Sequence, residues 1–139
     1  MVVIYIDGIF DLFHYGHLES FRKCKELYEN VVLKVGVISD TVATDYKRKP
    51  IICEKHRYES VRNSKYVDEV IENSPLIITK EFMEANNINI VVHGFSNSED
   101  ENNQSEFFEY PLSINAFIKI DYCKEISTTE IIKRIKLII

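Results

Sequence analysis

The feature that most constrains the fold is an alternation of short apolar runs with segments of helical periodicity. The apolar runs cover residues 2–6, 31–37, 67–71, 88–92 and 116–120. They are rich in β-branched residues, and several are apolar almost throughout, which is typical of strands covered on both faces. Segments 16–28, 54–64, 79–86 and 128–139 carry apolar residues at helical spacing.

This order predicts an α/β fold with a doubly wound, Rossmann-like, parallel five-stranded sheet and helices on both of its faces. Such sheets bind ligands beyond the carboxyl ends of their strands, where the strand order reverses. Residues 96–109 break the alternation because they are polar, acidic and rich in asparagine. We expect an exposed loop or partly ordered insert there.

Length, charge and hydropathy limit the possible classes of protein. A chain of 139 residues is the size of one domain, and residues 1–139 are interpreted as such. A net charge of −5 argues against non-specific binding to nucleic acid or to an anionic membrane surface. The sequence shows neither a signal peptide nor an apolar run long enough to span a membrane, so we expect a soluble cytoplasmic protein.

The three cysteines, Cys24, Cys53 and Cys123, are widely separated and form no CxxC pair. This spacing argues against a disulfide framework or a zinc site. The sequence therefore predicts buried free thiols.

The loop after the first strand carries the clearest chemical signal, Asp-Gly-Ile-Phe-Asp-Leu-Phe-His-Tyr-Gly-His over residues 7–17. Gly8 permits a tight exit from the strand. His14 and His17 are three residues apart at the start of a helix, where backbone N–H groups attract phosphate. A metal pair is the weaker interpretation, since no further ligand has a suitable spacing. The loop therefore predicts a polyphosphate site, with Gly16 allowing the ligand close to the backbone.

This segment resembles the HxGH signature of the nucleotidylyltransferase superfamily. More narrowly, it resembles the cytidylyltransferases that make CDP-choline, CDP-ethanolamine and CDP-glycerol. The resemblance spans nearly the whole chain and implies a catalytic domain that transfers CMP from CTP to phosphoethanolamine or phosphocholine and releases pyrophosphate. It also implies Mg²⁺ bound with the CTP, and a homodimer.

Two further segments extend the resemblance. The basic cluster at residues 46–50 precedes a helix, and Lys47 resembles the family's substrate-binding lysine, with Lys49 as a possible substitute. Residues 54–70 resemble the family's ERY…YVDEV segment, which implies that Arg57 points toward the phosphates. From the residues alone, Arg57 could equally pair with acidic residues on its own helix.

Residues 125–132 resemble the RTEGIST region, whose hydroxyl groups and helix N-terminus hold the triphosphate, although Ser127 or Thr128 would also suit a helix N-cap. The predicted site comprises catalytic His14, His17, Lys47 and Arg57; nucleotide-binding Gly8, Ile9, Phe10, Gly16, His93, Ser127, Thr128 and Thr129; and substrate-binding Asp11, Lys47 and Tyr66. No protein ligand to a metal is predicted.

The chain departs from the family's pattern at three places. Tyr-Cys-Lys-Glu replaces RTEG, so Lys124 is only a partial substitute for the arginine. The acidic pair that commonly follows the fourth strand is absent, and Glu99, Asp100 and Glu101 come later in the chain. The chain has no tryptophan, and Leu76 stands where the choline branch has one.

The other residues that resemble the family's motifs favour phosphoethanolamine slightly over phosphocholine. The alternatives are a catalytically silent CTP-binding module, a glycerol-3-phosphate cytidylyltransferase, and an adenylyltransferase of the same superfamily.

Overall fold

The structure is a computed structural model that describes all residues from 1 to 139. Its centre is one sheet of five parallel strands in the order β3-β2-β1-β4-β5. The strands are β1 (Val2–Gly8), β2 (Val31–Val37), β3 (Glu69–Glu72), β4 (Ile90–His93) and β5 (Phe117–Lys119). The predicted doubly wound sheet is confirmed, and its strand order reverses between β1 and β4.

Seven α-helices surround the sheet. They are α1 (Tyr15–Glu26), α2 (Asp40–Tyr46), α3 (Glu54–Arg62), α4 (Lys80–Ala85), α5 (Ser98–Gln104), α6 (Glu109–Ser113) and α7 (Thr128–Ile138), with a 3₁₀ turn at Ser105–Phe108 between α5 and α6. The predicted helices correspond to α1, α3, α4 and α7. Sequence periodicity missed α2, α5 and α6, which have seven residues or fewer.

Each face of the sheet has its own apolar cluster, which confirms the prediction of helices on both faces. Ile4 and Ile6 of β1 pack into one cluster with Phe21 of α1, whereas Tyr5 packs into the other with Met83 of α4. Successive strand residues point to opposite faces, so a strand covered on both sides must be apolar at nearly every position.

The third strand begins two residues later than predicted. Residues 67–71 were expected to be extended, but the N–H of Val67 donates to the carbonyl of Ser64 and so closes a turn after α3. Pairing with β2 starts at Glu69.

Residues 96–109 were expected to form an exposed loop or partly ordered insert; most of them are exposed, but they form helical turns instead of a loop. The Asn97 side chain accepts a hydrogen bond from the N–H of Asp100 at 2.8 Å and caps α5. The 3₁₀ turn then buries Phe107 and Phe108 in the second apolar cluster. Two aromatic anchors therefore fix a segment whose average composition is polar.

The three cysteines are free, but only Cys24 is buried; Cys53 is exposed and Cys123 is partly exposed. The prediction of buried thiols is therefore wrong for Cys53. None of the helices combines the length and the apolar character needed to cross a bilayer.

Gly36 of β2 lies where the side chain of Tyr5 crosses from the adjacent strand. A Cβ atom at this position would come within 1.9 Å of the Tyr5 hydroxyl oxygen and 2.8 Å of Ser74 Cβ. We expect Gly36→Ala to lower the free energy of unfolding by about 1–3 kcal/mol, because both neighbours are buried. Urea denaturation measures this change.

Gly94→Ala is the matched control, since its Cβ would meet nothing closer than 3.4 Å. Equal stability losses in the two variants would contradict the assigned packing of Tyr5 against Gly36.

Candidate active site

A cavity of about 250 Å³ opens beside the carboxyl ends of β1 and β4, at the point where strand order reverses. Twelve of the predicted site residues line it: Gly8, Ile9, Phe10, Asp11, His14, Gly16, His17, Lys47, His93, Ser127, Thr128 and Thr129. Arg57 and Tyr66 do not.

His14 and His17 form a reciprocal cap at the start of α1. His14 Nδ1 accepts from the N–H of Gly16 at 3.0 Å, and His17 Nδ1 accepts from the N–H of His14 at 3.2 Å. The two rings stack with their centroids 3.8 Å apart. The HxGH spacing therefore satisfies backbone donors that a helix N-terminus otherwise leaves free.

Gly16 is required by this geometry. A Cβ atom there would lie 2.9 Å from Cε1 of His14 and 3.2 Å from the carbonyl oxygen of Ile126. Because both neighbours are part of the cavity wall, any larger residue would displace the first histidine.

The cap also defines the tautomers of the two histidines. Each Nδ1 atom accepts a hydrogen bond, so each neutral ring carries its proton on Nε2. Burial lowers the pKa of His14, and burial together with the neighbouring His14 lowers the pKa of His17 to about 3. At neutral pH both rings are therefore neutral Nε2–H donors.

The N-terminus of α7 faces His14. Ser127 caps this helix by accepting from the N–H of Glu130 at 3.0 Å. The hydroxyl of Thr128 donates to the carbonyl of Asp11 at 3.0 Å and lies 3.4 Å from His14 Nε2. Two helix N-termini thus meet at one cavity, and their dipoles favour an anion between them.

Asp11 stabilises the loop instead of offering its carboxylate to the cavity. The side chain is 3% exposed and accepts from the N–H groups of Ile51 and Ile52 at 2.8 and 2.9 Å. Its neighbours Phe10 and Leu12 have φ values of 55° and 49°, a left-handed conformation that is costly for such residues. The prediction that Asp11 binds substrate is not supported by this arrangement, because its oxygens hold the strained loop in place.

Arg57 also lies away from the cavity. Its side chain is wholly buried and donates to the carbonyl oxygens of Ile9, Ile38 and Ile52 at 2.6–2.9 Å. A fourth hydrogen bond reaches Asp40 at 2.7 Å, and it lowers the pKa of that carboxyl against the opposing effect of burial. The guanidinium is thus committed to loop backbone in this structure, and the contact of Arg57 with phosphate stays a prediction.

The remaining predicted residues fall into two groups. Lys47 lines the cavity as an exposed side chain. Tyr66 instead packs against the first apolar cluster, with Lys65 Nζ 5.2 Å from its ring centroid. Lys49 and Lys124 are exposed and lie outside the cavity lining.

An acidic group that the sequence analysis did not assign lies in the same cavity. Asp7, at the end of β1, has Oδ1 at 3.6 Å from His93 Nδ1, and Asp100 of α5 also lines the wall. Burial, followed by the charges of Asp100 and Asp7, raises the pKa of Tyr46. Tyr46 lines the same cavity as both carboxylates.

The position of Asp7 at the end of a buried strand was a signal that could have identified it. Asp100 carried no such signal, because its place depends on the anchoring of Phe107 and Phe108.

Comparison with known proteins identifies the family of this chain. Residues 5–134 match the family described as cytidylyltransferase-like. The chain belongs to that family. It is 38% identical over 135 residues to choline-phosphate cytidylyltransferase 2 of Arabidopsis thaliana, and 34% identical over 134 residues to the ethanolamine-phosphate cytidylyltransferase of Dictyostelium discoideum.

Both alignments cover 96% of this chain, but only 44% and 36% of the respective relatives. The chain thus spans less than half the length of these cytidylyltransferases. Among solved structures, a lipopolysaccharide core biosynthesis protein from Thermoplasma volcanium has a TM-score of 0.71 at 22% identity, covering 89% of this chain and 99% of that one. This likeness supports the fold.

The buried guanidinium provides a first test of the site. We expect Arg57→Lys to lower the free energy of unfolding by about 2–4 kcal/mol, since an ammonium group cannot serve three carbonyls and a carboxylate in the same geometry. Arg62→Lys is the control, because Arg62 pairs with Glu59 and Glu72 in solvent. Unchanged stability with lost CTP binding would instead support a phosphate contact for Arg57.

The histidine cap gives a second test through pH. The folded pKa of His17 is about 3 against 6.5 for an ordinary histidine, so between these values the unfolded state binds more protons. The free energy of unfolding should therefore fall as pH drops from about 6.5 toward 3, and His17→Asn should flatten that slope. Denaturant titration at several pH values measures it, with His56→Asn as the exposed control. Equal slopes for wild type and His17→Asn would refute the assigned burial.

Proposed function

We propose that this chain transfers CMP from CTP to a small phosphorylated amino alcohol, either phosphoethanolamine or phosphocholine. An oxygen of the acceptor phosphate forms a bond to the α-phosphorus of CTP. The bond from that phosphorus to the bridging oxygen breaks, and pyrophosphate leaves with the electron pair. The names of the relatives, which include both choline-phosphate and ethanolamine-phosphate cytidylyltransferases, support this reaction.

The observation that carries the proposal is that the cavity has both hydrogen-bond donors for anions and acidic side chains for a cation. One set of groups can donate hydrogen bonds to anions: two histidine Nε2–H groups, Lys47 and the N-terminus of α7. The other set, Asp7 and Asp100, is acidic. A phosphorylated amino alcohol has a phosphate and an ammonium group, so it matches both sets at once.

In this mechanism the protein positions the reactants and stabilises charge. The acceptor phosphate is already anionic, so no strong general base is needed. His14 and His17 donate from Nε2 to the phosphate oxygens, where negative charge increases in the transition state. Ser127, Thr128 and Thr129 add the donors of a helix N-terminus, and Lys47 supplies a mobile positive charge.

Magnesium belongs to this proposal as the counter-ion of CTP. The chain has no group of three or more His, Cys, Asp or Glu residues arranged to hold a metal ion. We therefore treat the metal as part of the nucleotide substrate and assign no protein ligand to it. The predicted homodimer and cytoplasmic location stay predictions.

The assay that tests this function measures pyrophosphate release with MgCTP and phosphoethanolamine, phosphocholine or glycerol 3-phosphate. We expect His14→Ala and His17→Ala each to lower kcat/KM by about 10²–10³, the usual cost of removing a donor to a developing oxyanion. His56→Ala is the matched control, because His56 is exposed on α3 away from the cavity and its variant should retain wild-type activity.

CTP binding without pyrophosphate release from any acceptor would replace this proposal with a silent nucleotide-binding module. Consumption of ATP in place of CTP would indicate an adenylyltransferase. Preference for glycerol 3-phosphate would reject the amino alcohol and leave Asp7 and Asp100 without a ligand role.

A further inference from the structure

We propose that Asp100 of α5 is a specificity-determining residue that makes the site select the primary ammonium of phosphoethanolamine over the quaternary ammonium of phosphocholine. This inference rests on the proposed function and adds the identity of the acceptor. The inference assigns a role to α5, which was expected to be part of an exposed loop.

The carboxylates of Asp7 and Asp100 have no Lys or Arg partner. Asp100 forms no ion pair with any Lys, Arg or His side chain, and Asp7 lies within ion-pair distance only of His93, at 3.6 Å. Glu101, the next residue of α5, instead pairs with Lys119 outside the cavity lining. Carboxylates in a partly enclosed cavity are stabilised by a cation, and no Lys or Arg side chain lies within ion-pair distance of Asp7 or Asp100.

Two hydrogen bonds fix the orientation of the Asp100 side chain. One carboxylate oxygen accepts from the N–H of Ser96 at 3.0 Å, and the other accepts from Nε2 of Gln104 at 2.6 Å. Burial alone would raise the pKa of Asp100, but these hydrogen bonds outweigh it and lower the pKa. The group is therefore ionised, and each oxygen retains a further lone pair for a ligand N–H.

Asp7 and Asp100 line one cavity together with the phenols of Tyr46 and Tyr122. Burial and then the charge of Asp100 raise the pKa of both tyrosines, and Asp7 adds to the effect on Tyr46. The ammonium group of the acceptor would therefore enter a cavity lined by two carboxylates and two phenols.

The aromatic residues decide which kind of ammonium group fits. A quaternary ammonium has no N–H and is held mainly by open aromatic faces, with tryptophan the best wall. Phe107 and Phe108 are buried, and the Phe107 ring packs edge-to-face against Tyr46 at 5.5 Å. Leu76 supplies an aliphatic surface. The cavity therefore has the rings of Tyr46 and Tyr122 but no tryptophan wall, and its two carboxylates can accept the N–H groups that only a primary ammonium has.

The experiment compares kcat/KM for phosphoethanolamine and phosphocholine, at saturating MgCTP, in wild type and in Asp100→Asn. Wild type should prefer phosphoethanolamine by at least about tenfold, and the substitution should lower kcat/KM for phosphoethanolamine by about 10–100-fold, the usual range for a lost charged hydrogen bond. The change with phosphocholine should be smaller, and KM for CTP should stay within about twofold because the inference assigns Asp100 to the acceptor.

Glu99→Gln is the matched control, since it removes one negative charge from the same helix at an exposed position outside the cavity lining. Asp100→Glu keeps the charge and should retain part of the preference. Equal losses with both acceptors, a preference unchanged in Asp100→Asn, or a raised KM for CTP with normal acceptor kinetics would each overturn the inference.

Direct titration of phosphoethanolamine into wild type and Asp100→Asn, in the presence of CTP, separates this inference from the proposed function. If no acceptor supports turnover, the proposed function fails. A roughly tenfold weaker binding of phosphoethanolamine by Asp100→Asn would still support the ammonium site. Equal binding by the two proteins would overturn it.

Discussion

The geometry of the site depends on a buried positive charge, the guanidinium of Arg57, which lies outside the cavity lining. Arg57 joins three loops by donating to Ile9, Ile38 and Ile52, and its charge is balanced by Asp40. Backbone carbonyls at the ends of parallel strands have no helical or sheet partners, so burying them requires donors from elsewhere. Asp11 plays the opposite part by accepting from the N–H groups of residues 51 and 52. Together these two side chains hold the loop in which Phe10 and Leu12 adopt left-handed backbone angles.

The HxGH motif, which lies next to this loop, both caps α1 and sets the tautomers of its two histidines. The HxGH spacing lets each histidine accept a backbone N–H through Nδ1, and that same bond directs the Nε2 proton outward. Charged imidazoles would lose these acceptors, so the cap and the neutral state depend on each other. The donors offered to a phosphate are therefore set by helix capping before any ligand arrives.

Features that depend on neighbouring residues in the sequence were predicted most accurately. The five strands follow from β-branched runs, and His14, Gly16 and His17 follow from one loop whose spacing already specifies a helix start. Roles that depend on distant residues were not predictable. Whether Arg57 faces a phosphate or backbone carbonyls is decided by loops 5, 19 and 48 residues away in sequence. Asp100 reaches the cavity because Phe107 and Phe108, which follow it in the chain, pack in the second apolar cluster against the sheet.

The helix that carries Asp100 has a consequence for the thermal behaviour of the protein. No residue of α5 is buried, and apart from the exposed pair of Glu101 with Lys119, its capping and side-chain hydrogen bonds join residues of the same short segment. Such segments open locally at a much lower free energy than central strands such as β1. The wall bearing the histidines, by contrast, is fixed by Arg57 and Asp11. If Asp100 selects the acceptor as proposed, warming should blur discrimination between acceptors while nucleotide binding persists, so that fidelity and turnover would have different temperature limits in one small fold.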